Sequence, residues 1–215
     1  AVGRGYDVDT TSAIKARFHL FLEDAACTDF ESANPNTYQT VRYERNLPEG
    51  VYGTIMLPFV PDDESLSRYA FYKLCGGGTE ELTFTEVADV QANVPYLYTL
   101  REGQESGPIT GGETTIVGLK IDTLSACCPN GVWQSVGCYR TDSVITNCVG
   151  DECTYYCIDA TDNQFYLVNR KIKTRPFRVY FVNSQGKCSS ASAPQLSLRL
   201  RDGSTTGIDN SHWYK

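Results

Sequence analysis

The chain has 215 residues, 41% of them hydrophobic and 21% charged, enough for one large β domain or two small ones and too apolar for disorder. A formal net charge of -7 argues against a nucleic-acid partner, because a phosphate backbone demands a concentration of Lys and Arg. Fourteen Tyr and nine Phe stand against a single Met, a bias that suits pleated, half-buried strands.

Read from its beginning, the chain starts at Ala1 without Met or an apolar signal core, which is expected of a mature terminus left after a leader is removed. Ile14, Ala16, Phe18 and Leu20 then alternate with Lys15, Arg17 and His19 and run into Leu20-Phe21-Leu22. This predicts a first strand within an N-terminal segment, residues 1–37, that packs on its own sheet or exchanges with a neighbouring copy. Val41 and Tyr43 alternate with Arg42 and Glu44 ahead of the turn at Pro48-Glu49-Gly50. After Pro61 the one helical signal appears: Asp62 as a cap, with Asp63 and Glu64 charging the first turn before Leu66 and Tyr69.

Further turns fall at Gly76-Gly77-Gly78, Gly103, Gly111-Gly112, Asn130-Gly131, Gly150-Asp151 and Asp202-Gly203. Between the later ones Phe177, Val179 and Phe181 oppose Arg178 and Tyr180, and Leu196, Leu198 and Leu200 oppose Ser197, Arg199 and Arg201. One apolar and one wet face per run predicts antiparallel sheets on a shared core. The expected fold is therefore all-β: an antiparallel β-sandwich over residues 38–210 with little or no helix, followed by a tail at 211–215. No apolar stretch approaches the roughly 20 residues that span a bilayer as a helix, so no membrane span is expected.

The nine cysteines are Cys27, Cys75, Cys127, Cys128, Cys138, Cys148, Cys153, Cys157 and Cys188. There is no C-x-x-C pair, and His19 and His212 lie far from the cluster at 127–157, so disulfides are read in preference to metal. That reading places the protein in an oxidising compartment, secreted or at the cell surface. An odd count leaves at least one cysteine unpaired or bonded between chains; the pairing is not legible. Adjacent Cys127 and Cys128 are expected to bond to different partners.

Several segments together resemble a β module common in secreted and surface proteins of Bacteroidota. They are Thr40-Val41-Arg42-Tyr43-Glu44-Arg45, Pro48-Glu49-Gly50 and Tyr52-Gly53-Thr54-Ile55-Met56-Leu57-Pro58-Phe59; then Leu82, Phe84 and Val87, with Ala92, Pro95, Tyr96 and Leu97. Gln164-Phe165-Tyr166-Leu167, Arg175-Pro176-Phe177-Arg178-Val179-Tyr180-Phe181 and Asp202-Gly203-Ser204-Thr205-Thr206-Gly207-Ile208 complete the pattern. The resemblance implies a secreted all-β domain without catalytic residues. It also implies O-glycosylation in Asp-Ser/Thr-apolar triplets, here at Thr10, Thr123 and Ser143. The cysteine-rich insertion at 127–157 departs from it.

No catalytic residue is assigned: His19 falls on the wet face of a strand and His212 in the tail, leaving Ser and Cys nucleophiles without a base. Asp7, Asp9 and the loop from Asp202 to Asp209 read as capped turns rather than a Ca²⁺ site. Trp133, Tyr139, Tyr155 and Tyr156 are the recognition aromatics of the insertion, unless they cover a small disulfide core. The expectation is an exported cell-surface structural or adhesive protein that contacts other chains, copies of itself included, and uses no cofactor. A carbohydrate-binding surface module is the rival reading, and a small secreted hydrolase the third.

Overall fold

A computed structural model describes residues 3–8, 16–23, 36–116, 124–127, 132–139, 144–145, 154–168, 172–173, 175–183 and 195–201. In chain order its strands are β1 (Gly3–Val8), β2 (Ala16–Glu23), β3 (Asn36–Tyr38), β4 (Thr40–Glu44), β5 (Tyr52–Met56), β6 (Tyr69–Gly77), β7 (Glu81–Val87), β8 (Pro95–Leu100) and β9 (Ile109–Gly111). There follow β10 (Thr114–Ile116), β11 (Leu124–Cys127), β12 (Trp133–Cys138), β13 (Val144–Ile145), β14 (Thr154–Asp159), β15 (Gln164–Leu167), β16 (Ile172–Lys173), β17 (Arg178–Asn183) and β18 (Gln195–Arg201). Between β5 and β6 lies a single six-residue helix, α1 (Asp63–Arg68).

Strands dominate and helix is nearly absent, as the composition requires, but the architecture differs from a purely antiparallel sandwich. Ten strands make one sheet, in the order β11-β12-β17-β14-β15-β18-β7-β6-β8-β5, curled into a nearly closed, barrel-like form. Two pairings are parallel: β18 with β7, and β2 with β4. Period-two alternation reports which face of a strand is buried. It carries no information on the direction of a partner more than a hundred residues away.

The curl brings distant strands face to face. Phe84 of β7, Phe165 of β15 and Phe181 of β17 pack as one triad, with ring centroids 5.0 to 5.7 Å apart. Since β7 and β17 stand four places apart in the sheet, their rings meet only across an enclosed interior. Trp133 of β12 meets Tyr156 of β14 edge-on at 5.5 Å, and its indole covers Gly77 so closely that a Cβ there would stand 2.6 Å from it. At Gly137 a Cβ would run into the side chain of Met56. The one methionine thus fills the space that a glycine on the facing strand leaves open.

β8 is buried along its whole length, because its other face meets a second layer. There Tyr69 packs on Tyr98 at 5.7 Å, and Phe71 on Tyr96 and Tyr98 at about 6 Å. The four-stranded sheet β1-β2-β4-β9 adds Leu20, Leu22, Val41, Tyr43 and Ile109 to the same core, all at most 2% exposed. Leu20 and Leu22 anchor the N-terminal segment to its own core and turn Phe21, 40% exposed, outward. β3 pairs with β10 and β13 with β16 as two-stranded ribbons.

α1 forms where the capping chemistry placed it. The Asp62 carboxylate accepts from the Ser65 N–H at 2.9 Å and from the Thr110 hydroxyl at 2.6 Å, tying the helix to β9. Arg68 closes the last turn on Glu64 at 2.7 Å. Burial raises the Asp62 pKa, but the bonds from Thr110 and Ser65 and the nearby Arg68 outweigh it and hold the carboxyl below its usual value. A depressed carboxylate contributes stability that is present above the unfolded-state pKa and is lost as pH falls through the folded-state value. Asp62→Ala is expected to cost about 1 kcal/mol in urea denaturation at neutral pH. The gap from wild type should narrow as pH drops below about 4; a gap independent of pH would show that the carboxylate charge is immaterial.

Candidate functional site

The insertion aromatics form no exposed platform. Trp133 is 2% exposed, Tyr139 fully buried and Tyr156 3% exposed, all within the main core. The Tyr139 hydroxyl donates to Asn93 Oδ1 at 2.9 Å, and burial raises its pKa far above that of free tyrosine. Tyr155, half-buried, packs with Cys157 and Ile172 against a second, smaller cluster of Cys138, Val168 and Tyr180. These residues cover the two faces of the β12-β17-β14 wall.

The cysteines divide. Cys27, Cys128, Cys148, Cys153 and Cys188 lie outside the described residues, and the side chain of Cys127 with them. Cys75 and Cys157 carry free thiols. Cys75 sits at a register shift of β6 against β7. Its Sγ donates to the Thr83 carbonyl at 3.3 Å and accepts from the Thr85 hydroxyl at 3.2 Å, so the bulge places the thiol among polar groups of β7. Thr10, Thr123, Ser143, Asp9, His212 and the 202–209 loop also lie outside the described residues, while Asp7 and His19 fall in β1 and β2. Among the described residues no three His, Cys, Asp or Glu side chains gather as a metal site.

A concavity that sequence reasoning missed opens at the mouth of the barrel. Its floor is Thr99 of β8 with Ala70 of β6; Thr99 pairs with Ala70 on one side and Tyr52 of β5 on the other, so all three side chains share a face. Tyr72, two residues beyond Ala70, stands on that face too, and its ring lies 6.0 Å from the ring of Tyr52. Small residues between two tyrosines leave a groove of about 340 Å³, rimmed by Glu49, Gly50, Leu100, Arg101 and Glu102.

Its walls are fixed from behind. The Tyr52 N–H donates to Asn163 Oδ1 at 2.9 Å, and Asn163 Nδ2 donates to the Gly50 carbonyl at 2.9 Å. Asn163 reaches this point through a left-handed turn (φ 57°) between β14 and β15. The Thr99 hydroxyl donates to the Val51 carbonyl at 2.9 Å. Arg101 is held by Glu86 at 2.7 Å and by the Leu66 carbonyl at 3.3 Å. Burial, then the Glu86 carboxylate, raises the Tyr52 pKa against an opposing hydrogen bond with Tyr72, so the phenol stays protonated at physiological pH. Nothing local in the sequence marks these residues as a group, since the pairing of β5, β8 and β6 assembles them.

A second candidate feature is an edge. β1 lies at the end of the four-stranded sheet, paired to β2 in unbroken register from Gly3↔Phe21 to Val8↔Ala16. No strand among the described residues pairs with its far side.

Compared with known proteins, the chain matches no family model, no curated protein and no solved structure. Burial pushes the Cys157 thiol up to about 12, which leaves almost no thiolate at pH 8. Cys157 is therefore expected to resist iodoacetamide in the native protein and to react fully in denaturant. Rapid native alkylation, located by peptide mass spectrometry, would contradict the packing of the cluster around Tyr180.

Proposed function

We propose that this chain is an exported cell-surface protein of the Bacteroidota β-module type that works by contact with other protein chains, its own copies included. The edge of β1, which no strand among the described residues covers, carries this reading. A paired but one-sided strand presents N–H and C=O groups to any incoming strand. Monomeric proteins commonly blunt such edges with Pro, Lys or a bulge. The sequence from Gly3 to Val8 has neither Pro nor Lys, carries only Arg4 and Asp7 as charges, and keeps a continuous register to β2. Opposite Gly3, the exposed Phe21 offers an apolar contact beside the edge, where the absence of a glycine side chain leaves room for it.

Consecutive residues of a strand direct their N–H groups to opposite sides, so one of Gly5 and Tyr6 points outward. Wild type is expected to self-associate in sedimentation velocity. Proline at the outward position should weaken association at least about tenfold without changing the circular dichroism, whereas proline at the inward one disturbs the hairpin. A wild type that stays monomeric at the highest attainable concentration would sink the reading.

Export implies oxidation. Cys27, Cys127, Cys128, Cys148, Cys153 and Cys188 are enough for three disulfides, with strain forbidding a ring between the adjacent pair. Non-reducing peptide mapping of protein from its native source measures this directly. Nine free thiols would end the argument for an oxidising compartment.

A further inference from the structure

From the barrel mouth we infer a binding site for a neutral sugar ring, independent of the β1 edge. Mouths of β-barrels are common ligand sites, and a volume of about 340 Å³ falls within the range of small-molecule pockets. The lining determines the class of ligand. Tyr52 is half-buried, so part of its ring faces the groove while Tyr72 supports it from 6.0 Å. Such a ring accepts the C–H face of a pyranose. Around it stand both kinds of hydrogen-bonding group that an array of hydroxyls needs. The Glu49 and Glu102 carboxylates on the rim accept, and Arg101 donates.

The charges discriminate further. Arg101 is paired with Glu86, so the groove offers no unneutralised cation to a phosphate or a uronate, and Glu49 and Glu102 repel both. The two rim carboxylates would draw an amine as well, so the methylammonium arm of the test is what separates an amine from a neutral ring. The aromatic wall favours the ring. Two of the five N–H bonds of Arg101 are committed, to Glu86 and Leu66, which fixes the plane of the guanidinium and leaves donors for a ligand. Asn163, clamping Gly50 and Tyr52 through their backbones, holds the aromatic wall still before any ligand arrives. A rigid wall reduces the ordering cost that weakens most sugar complexes.

The test uses the full chain, isotopically labelled, titrated with the methyl glycosides of glucose, galactose, mannose and N-acetylglucosamine. At least one is expected to shift the amide resonances of Gly50, Tyr52, Thr99, Arg101 and Glu102, and to leave the β1–β2 hairpin unmoved. Tyr52→Ala should weaken that glycoside about tenfold, the effect of losing one aromatic contact. Tyr52→Phe, which keeps the ring, should bind as wild type does, so a variant that merely unfolds is recognised by comparison with it. Absence of shifts at the mouth with all four glycosides overturns the inference. So does a response to methylammonium or phosphate in place of the sugars.

Discussion

A sheet that curls on itself has to find partners for its last strand, and here that closure runs through the backbone of Phe177. Its N–H donates to the Cys138 carbonyl at 2.8 Å, and its own carbonyl accepts from the Met56 N–H at 3.0 Å. One residue therefore joins the end of β12 to the end of β5, the far edge of the ten-stranded order. Two residues later the Val179 N–H donates to Thr54 Oγ1 at 3.2 Å. To serve both sides Phe177 adopts φ 64°, a conformation unfavourable for a bulky side chain by about 1–3 kcal/mol. Its ring, wedged edge-on between Tyr43 at 5.3 Å and Tyr139 at 5.7 Å, supplies the packing that offsets this cost. The same ring ties the barrel to the four-stranded sheet through Tyr43.

Everything enclosed by the seam follows its geometry. The Phe84, Phe165 and Phe181 triad needs an interior of fixed width, and Gly77 and Gly137 narrow it locally where Trp133 and Met56 intrude. On the mouth side the rows shorten to Ala70 and Thr99, and the interior opens to solvent between two tyrosines. Aromatic side chains fill both layers because each provides large apolar area at low conformational cost. The composition, with its many tyrosines and single methionine, is the record of that requirement.

Much of the local structure was legible. The alternations at Val41–Tyr43, Val179–Phe181 and Leu196–Leu200 lie on real strands, and Asp62 caps the helix as its position after Pro61 indicated. Burial of Trp133 and Tyr156 was legible only as one of two readings, because an aromatic beside cysteines looks alike whether it faces solvent or core. The barrel was not legible, since it depends on β18 lying parallel to β7, and neither strand carries a mark of that direction. The mouth was hidden for a related reason. Tyr52, Tyr72, Arg101 and Asn163 come from four separate segments and acquire a common purpose only when β5, β8 and β6 are side by side.

The place of β18 in the ladder has a kinetic side. It sits between β15 and β7 and, among the described residues, is the one strand whose ladder joins the run β11-β12-β17-β14-β15 to the run β7-β6-β8-β5, the Phe177 seam apart. Until residues 195–201 have been synthesised and docked, the two runs have no ladder of hydrogen bonds between them, and the aromatic triad has no enclosed space to occupy. Closing loops of that length precedes any reward in burial, which places the chain among slow folders with high contact order. Such a chain stays unfinished for as long as β18 is withheld, and its aromatic interior stays open to water for the same time.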